Sequence, residues 1–157
     1  MIVAFTGHRK LGGYGPSPIQ TAVRAAIKTL LVEHDVNEAV SGMALGVDQW
    51  AAEVCIELSI PFTAAVPFDG QEWRWPSAAQ LRYRELIAKA WHVQVVCPGE
   101  YAAWKMQRRN EWMVNNSDTL LAVWDGSSGG TANCVQYARE VGREIWHVDP
   151  NRLQENP

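Results

Sequence analysis

The sequence has few of the features that mark disulfide-stabilised, secreted or membrane-spanning proteins. It contains three cysteines, Cys55, Cys97 and Cys134. Because they are odd in number, far apart and in apolar surroundings, they predict neither a disulfide framework nor a zinc site. No apolar run reaches the roughly 18–20 residues that a membrane span needs. The N-terminal sequence MIVAFTGHRK also lacks the basic start of a secretory signal. We therefore expect a cytoplasmic protein in a reducing environment, with no membrane partner.

Positive charge and the common cofactor motifs are also scarce. Lysine and arginine number 14 against 17 acidic residues, which gives a net charge of −3. Since binding to the nucleic acid backbone depends on clustered basic side chains, this balance argues against a DNA-binding module, our third hypothesis. The chain has no P-loop and no G-x-G-x-x-G, H-E-x-x-H or C-x-x-C motif. The sequence therefore predicts no metal site and identifies no cofactor.

Strand and helix patterns alternate through the whole sequence. Apolar residues make up 47% of the chain and charged residues 20%, as expected for a domain with a sizeable core. Short β-branched and apolar runs predict strands at residues 2–5, 37–40, 62–66, 93–97, 119–124 and 144–148. Helices between such strands form βαβ units, which give a mainly parallel sheet with helices on both faces. We predict a single α/β domain over residues 1–150 and a polar, fraying tail over residues 151–157.

Three loops at the predicted carboxyl ends of strands are rich in small residues. Ligands of an open parallel sheet bind at this edge, so we expect the loops to line one cleft. Glycines allow a ligand to approach the backbone, and a helix that starts there offers free N–H groups to an anion. We interpret the second and third loops as phosphate cradles; alternatively, their glycines only close tight turns. The residues are Thr6, Gly7, His8 and Arg9; Ser41, Gly42, Ala44, Gly46 and Asp48; and Asp125, Gly126, Gly129, Gly130 and Thr131.

Two other features suit a nucleotide-like ligand. Arg9 offers a planar guanidinium to an anionic group, although a solvated turn or an ion pair is the alternative. The loop of residues 71–75 could fold over a base, with Trp75 or Trp73 stacking and Arg74 or Gln71 in polar contact; alternatively, its tryptophans pack against a helix or a second subunit. The chain has 8 tryptophans, and we expect several in the core or in a dimer interface.

The helix predicted at residues 102–116 carries consecutive arginines. The simplest interpretation of Arg108 and Arg109 is a solvated charged face, with Trp104, Met113 and Val114 forming the buried face.

In their joint order, the motifs resemble the YpsA-like branch of the SLOG superfamily, which also includes the Lonely Guy phosphoribohydrolases and the Smf-like DNA-processing proteins. The resemblance runs from residue 2 to about residue 150. It implies a Rossmann-like three-layer α/β sandwich, a site for nucleotides or nucleotide-derived ligands, and a homo-oligomer, for which we favour a dimer. It also implies that Arg109 and Asn110 join the ligand-binding residues. The motifs are T-G-H-R at 6–9, S-G-x-A-x-G-x-D at 41–48, Pro67-Phe68, Gln71, Trp75, Tyr83, R-N-x-x-M-V at 109–114 and D-G-x-x-G-G-T at 125–131.

A comparison with the Lonely Guy hydrolases separates two hypotheses. Those enzymes have an arginine followed nine residues later by an aspartate. This chain resembles them in Arg109 and Asp118 (118 − 109 = 9). Their glycine-rich loop then leads to a catalytic glutamate, and Cys134 stands at that position. Our leading prediction is therefore binding of a nucleotide or ADP-ribose-like molecule. The alternative is a nucleoside-phosphate N-glycosidic hydrolase or transferase that uses Asp48 or Asp125 as its carboxylate, together with Arg109.

Overall fold

Six parallel strands form a single sheet in the computed structural model, which describes residues 1–12 and 17–154. The strands are β1 (Ile2–Gly7), β2 (Glu38–Ser41), β3 (Phe62–Val66), β4 (His92–Val95), β5 (Thr119–Val123) and β6 (Glu144–Val148). Their order is β4-β3-β2-β1-β5-β6, and every neighbouring pair is parallel. This arrangement confirms the predicted Rossmann-like α/β class.

Helices cover both faces of the sheet, as the alternating pattern predicted. They are α1 (Pro18–Glu33), α2 (Val47–Glu57), α3 (Ser77–Ala88), α4 (Ala103–Asn115), α5 (Gly130–Glu140) and α6 (Pro150–Gln154). Along β1, Val3 and Phe5 enter one core with α1, α2 and α3, whereas Ala4 enters a second core with α4 and α5. Since neighbouring side chains of a strand point to opposite faces, the period-2 pattern of β1 fixes both layers.

The order in which strands are added to the sheet reverses at β1, in the centre of the sheet. From β1 the chain proceeds through β2 and β3 to β4, and it then returns to place β5 on the other side of β1. The helices that follow β1 and β5 therefore leave toward opposite faces, which opens a crevice between the two strand ends. This topology brings the loop after β1 close to the loop after β5.

Helix α1 begins where the sequence predicted, whereas α2 begins later. Ser17 caps α1 by accepting a hydrogen bond from Gln20 N at 3.2 Å, with a proline at the start of the helix. The sequence predicts a second helix that follows Ser41-Gly42 and ends near Leu58, but in the structure α2 starts at Val47. Met43 (φ 60°) and Gly46 (φ 86°) adopt left-handed backbone conformations, and these keep the intervening segment out of the helix.

The C-terminal segment differs from the polar, fraying tail that we predicted at residues 151–157. Pro150–Gln154 forms α6, which contacts α1, and Leu153 packs against the first core. Burial of this leucine supplies the apolar contact that an entirely polar tail would lack. Residues 155–157 lie outside the described residues, as do residues 13–16.

The tryptophans differ in their burial. Trp50 is buried in the core, and Trp73, Trp91 and Trp104 are exposed. The other four are half-buried and pack against the two cores: Trp75, Trp112, Trp124 and Trp146. The exposure of Trp104 corrects the predicted buried face of α4, although Met113 and Val114 are buried there as expected. Over residues 1–12 and 17–154, no helix has the length and apolar character needed to cross a membrane.

Candidate functional site

A cleft of about 370 Å³ opens at the carboxyl edge of the sheet. Its walls are formed by the end of β1 and the loop after it, the loops after β2 and β5, the starts of α2 and α5, the loop before α3, and one side of α4. Its size is within the range of small-molecule sites. The lining residues are Thr6, Gly7, His8, Arg9, Ala44, Asp48, Gln71, Trp75, Met106, Arg109, Asn110, Ser127, Ser128, Gly129, Gly130 and Thr131.

Arg109 is the buried cation of the cleft. Only 5% of its surface is exposed. Its Nη1 donates to Gly42 O at 2.7 Å and to Ala65 O at 3.2 Å, and its Nε donates to Asn110 Oδ1 at 3.1 Å. Within the described part of the chain, Nη2 has no hydrogen-bond partner. The guanidinium is thus fixed on one side and retains donor capacity on the other.

Gly42 allows this arginine to approach the backbone. A Cβ at this position would lie 2.8 Å from Arg109 Nη1 and 2.9 Å from Asp48 Oδ2. Any side chain here would therefore displace the two charged groups. As the sequence suggested, Gly42 allows another group to come close to the backbone. That group is the Arg109 side chain and not a ligand, because Gly42 does not line the cleft.

Asp48 lies at the start of α2 with 6% of its surface exposed. Burial raises the pKa of its carboxyl to about 6, while the charge of Arg109 and a hydrogen bond from Ala44 N to Oδ2 (3.3 Å) partly oppose that rise. The carboxyl therefore changes protonation state between pH 5 and 7. Burial likewise lowers the pKa of Arg109, although its guanidinium stays charged at neutral pH.

Arg9 is exposed and makes no hydrogen bond or ion pair with the described residues. It follows β1 at the entrance of the cleft, and its position depends on Gly46. A Cβ on Gly46 would lie 2.5 Å from His8 O and 2.6 Å from Arg9 O, and its φ of 86° also favours glycine. In addition, Val47 N donates to His8 O at 3.2 Å. These backbone contacts join the first two loops.

His8 and Asp125 connect the loops after β1 and β5. Asp125 N donates to His8 Nε2 at 3.1 Å, and one carboxylate oxygen lies at the same distance from that nitrogen. The carboxylate also accepts from Ser127 N at 2.9 Å and from Ser127 Oγ at 2.5 Å. These hydrogen bonds with Ser127 hold the pKa of Asp125 below its usual value. The side chain of Asp125 therefore closes its own turn and does not line the cleft.

Helix α5 points its N-terminus toward the cleft. Gly129 precedes the helix with a φ of 137° and provides no side-chain cap, so the first N–H groups of α5 lack partners within the helix. Thr131 lies in this first turn and is buried. This third loop retains the free amides that the phosphate-cradle interpretation requires.

The second loop uses its amides internally. Met43 N donates to Ser41 Oγ, Ala44 N donates to the Asp48 carboxylate, and Val47 N donates to a backbone carbonyl. Ser41 Oγ in turn donates to Asp48 O at 2.7 Å. Three amides of the second loop, those of Met43, Ala44 and Val47, are therefore engaged within the protein and are less available to a phosphate than those at the start of α5.

Cys134 lies beneath the cleft and is fully buried. Burial raises the pKa of its thiol to about 12, and Thr6 lies within hydrogen-bond reach. The thiol is therefore protonated at neutral pH, as the sequence predicted. Asp118, the other residue of the hydrolase-like spacing, accepts from Ile2 N at 2.7 Å just before β5. That position is at the opposite edge of the sheet, so Asp118 does not belong to the cleft.

The aromatic wall is held by a buried glutamine. Gln71 Nε2 donates to Gly42 O at 3.2 Å and lies 3.5 Å from the Tyr83 hydroxyl. The rings of Tyr83 and Trp75 meet edge to face with centroids 5.3 Å apart. Trp75 is thus fixed against α3 while it lines the cleft.

Most of the predicted residues come together, and five do not line the cleft. Ser41, Gly42, Gly46, Asp125 and Gly126 support or flank it. Sequence reasoning missed Met106, Ser127 and Ser128; Ser127 and Ser128 lie within the predicted glycine-rich loop, and Met106 lies one turn before Asn110 on α4. In the two described ranges, no three His, Cys, Asp or Glu side chains are grouped as metal ligands would be.

Comparison with known families supports the resemblance seen in the motifs. A family model, YpsA, described as the YspA SLOG family, matches residues 5–153. The chain belongs to the YspA SLOG family. The match to this SLOG model covers every loop that lines the cleft.

One relative of this SLOG chain is the uncharacterized SPbeta prophage-derived protein YoqJ of Bacillus subtilis. It is 32% identical over 146 residues, which cover 81% of this chain and 85% of the relative. The Helicobacter pylori DNA processing protein A, solved in a study of its single-stranded DNA binding mode, has a TM-score of 0.70 at 20% identity. The alignment covers 99% of this chain and 72% of that one.

The molybdenum cofactor carrier protein of Chlamydomonas reinhardtii has the same fold, with a TM-score of 0.58 at 16% identity. The alignment covers 93% of this chain and 74% of the carrier. The DNA processing protein A of Streptococcus pneumoniae is longer still, and this chain spans 56% of its length with a TM-score of 0.68 at 18% identity. At these identities the structural likenesses establish the fold alone.

Proposed function

We propose that the chain binds a nucleotide or a nucleotide-derived, ADP-ribose-like ligand in the cleft. The observation that carries the proposal is the position of Arg109, a buried guanidinium that lines the cleft and keeps Nη2 without a partner in the described residues. A buried cation with free donor capacity suits an anionic ligand group. The uncapped start of α5 lines the same cleft and adds amide donors for phosphate.

The other lining residues suit the rest of such a ligand. Trp75 offers an indole ring that can cover a base, and the Asp48 carboxyl can accept hydrogen bonds from ribose hydroxyls. Arg9, exposed at the entrance, supplies a second cation for the phosphate. We place the phosphate at α5 rather than at α2 because Met43, Ala44 and Val47 already donate their amides within the protein.

We expect the Arg9→Ala variant to bind a nucleoside 5′-monophosphate about ten- to a hundredfold more weakly, because a charge-assisted hydrogen bond is lost. Binding of the corresponding nucleoside should change by less than about twofold, since it lacks the phosphate. Isothermal titration calorimetry with AMP, GMP, CMP and UMP and their nucleosides measures both effects. Arg152→Ala, which removes an exposed arginine of α6 outside the cleft, is the control. Equal weakening of both ligand types would assign Arg9 a structural role.

One observation favours the hydrolase as a second candidate function. The Asp48 carboxyl lines the cleft with a pKa of about 6, which is close to the range that general acid–base catalysis uses. Asp125 lies outside the cleft, so Asp48 is the carboxylate that this alternative requires. Removal of a general acid or base typically lowers turnover about 10²–10⁴-fold.

We expect the natural protein to release little or no free base from the four nucleoside monophosphates, because a protonated thiol stands where the related hydrolases carry a glutamate. A chromatographic assay over hours measures the release. Steady turnover that Asp48→Asn abolishes and Asp125→Asn preserves would contradict this prediction and would favour the hydrolase. Saturable binding without turnover would agree with a binding protein.

The proposal also includes a cytoplasmic location and a homo-oligomer, with a dimer preferred. Trp91 is 70% exposed just before β4, and Val93 on that strand is also exposed. Strand β4 is an edge of the sheet. Large apolar side chains on an unpaired strand edge support association with another chain.

A further inference from the structure

A second cavity of about 1150 Å³ adjoins the cleft on the side of α3. His8, Arg9 and Trp75 line both spaces. The two cavities therefore meet at the end of β1, and a ligand that leaves the cleft past Arg9 enters the second cavity.

Much of the wall of the second cavity is apolar. Leu45, Pro76 and Ala78 contribute to it, together with Trp75. A phosphate tail would gain little from these side chains, whereas a flat base would bury apolar surface against them. The wall thus suits a nucleoside better than a chain of phosphates.

Cations dominate the charged part of this wall. Arg74 is exposed and lies 6.0 Å from the centre of the Tyr101 ring, and no carboxylate of residues 1–12 or 17–154 forms an ion pair with it. Arg82 is already paired with Glu53 and Glu85. Asp125 is the one carboxylate among the described lining residues. It accepts a hydrogen bond from Ser127 N and lies 3.1 Å from His8 Nε2. An anionic linker between the two spaces would therefore meet Arg9 and Arg74.

We propose that the second cavity holds the second nucleoside of a dinucleotide whose halves are joined by a pyrophosphate. The first nucleoside and its phosphate occupy the cleft, the linker continues past Arg9, and the second nucleoside rests between Leu45, Pro76 and Ala78. This inference rests on the proposed nucleotide function, because it assigns the first half of the ligand to the cleft. It adds a ligand class, a pyrophosphate-linked dinucleotide, and a separate subsite.

The test compares ligands of increasing length on the same protein. The probes are AMP, GMP, CMP and UMP, the matching nucleoside triphosphates, and the matching symmetrical dinucleoside diphosphates, each titrated by calorimetry. We expect the best dinucleotide to bind about ten- to a hundredfold more tightly than its monophosphate, since stacking of one further base is worth about that factor. The triphosphate should gain less than the dinucleotide.

A variant that fills only the second cavity completes the test. Ala78 is exposed in the first turn of α3, and Ala78→Trp should remove the gain of the dinucleotide while the monophosphate affinity stays within about twofold. Leu81→Trp adds the same side chain at an exposed position of α3 outside the cavity and is the matched control. Arg74→Ala, a smaller change, should lower dinucleotide affinity alone.

The outcomes separate this inference from the proposed function. Equal affinities for monophosphates and dinucleotides would overturn the second subsite and leave nucleotide binding in the cleft intact. A gain that triphosphates match and that Ala78→Trp does not reduce would also overturn it, because a phosphate tail alone would then explain the gain. If none of the probes binds, both the inference and the proposed function fail.

Discussion

We expect the Arg109→Ala variant to lose nucleotide binding by more than about a hundredfold, since the variant removes the buried cation that the cleft offers to a phosphate. It should also lower the free energy of unfolding by about 2–4 kcal/mol, because two buried carbonyl groups, Gly42 O and Ala65 O, lose their donor. Calorimetry measures the first effect and urea denaturation the second.

Arg108→Ala is the matched control for this prediction. Arg108 is the preceding residue of α4, is exposed, and lies 6.0 Å from the centre of the Trp104 ring. We expect it to change stability by no more than about 0.5 kcal/mol and to leave binding unaltered. A soluble Arg109→Ala protein that retains full nucleotide affinity would contradict the assignment of phosphate to this side of the cleft.

The place of the cleft could be predicted from the sequence, because it follows from topology. Carboxyl ends of parallel strands meet at one edge, so the small residues after β1 and β5 had to lie near each other. The order of motifs added Arg109 and Asn110 through a family resemblance. Helical periodicity alone placed Arg109 on a solvated face, and the structure corrects that interpretation, since its partners Gly42 and Ala65 belong to distant parts of the chain.

The direction of individual side chains could not be predicted in the same way. Asp48 and Asp125 both lie in loops rich in small residues that follow strands. The sequence did not decide which of the two is the functional carboxylate. In the structure, Ser127, two residues after Asp125, donates two hydrogen bonds to its carboxylate. Aspartates in turns commonly form such local hydrogen bonds with the backbone. Asp48 instead starts a helix and lies beside the buried arginine, so long-range packing decides between the two.

We expect Asp48 to make the protein less stable as the pH rises from 4 to 7. Its carboxyl has a pKa of about 6 in the folded chain against an ordinary value of 3.8. Between these two pH values the folded state holds a proton that the unfolded state has already lost, so folding weakens by about 3 kcal/mol across the window. Asp48→Asn cannot ionise and should lack this decline, and urea denaturation of both proteins between pH 4 and pH 8 measures the difference.

Asp125→Asn provides a control of opposite sign. Hydrogen bonds from Ser127 lower the pKa of Asp125, so this carboxylate stabilises the fold above its unfolded pKa and loses that contribution as the pH falls through its folded value. The Asp125→Asn variant should therefore lose stability at neutral pH and approach the natural protein in acid, whereas Asp48→Asn gains relative stability at neutral pH. Parallel pH profiles for Asp48→Asn and the natural protein would show that the Asp48 carboxyl is ionised without cost. In that case the cleft would lack the carboxyl of raised pKa that the hydrolase alternative uses as its acid or base.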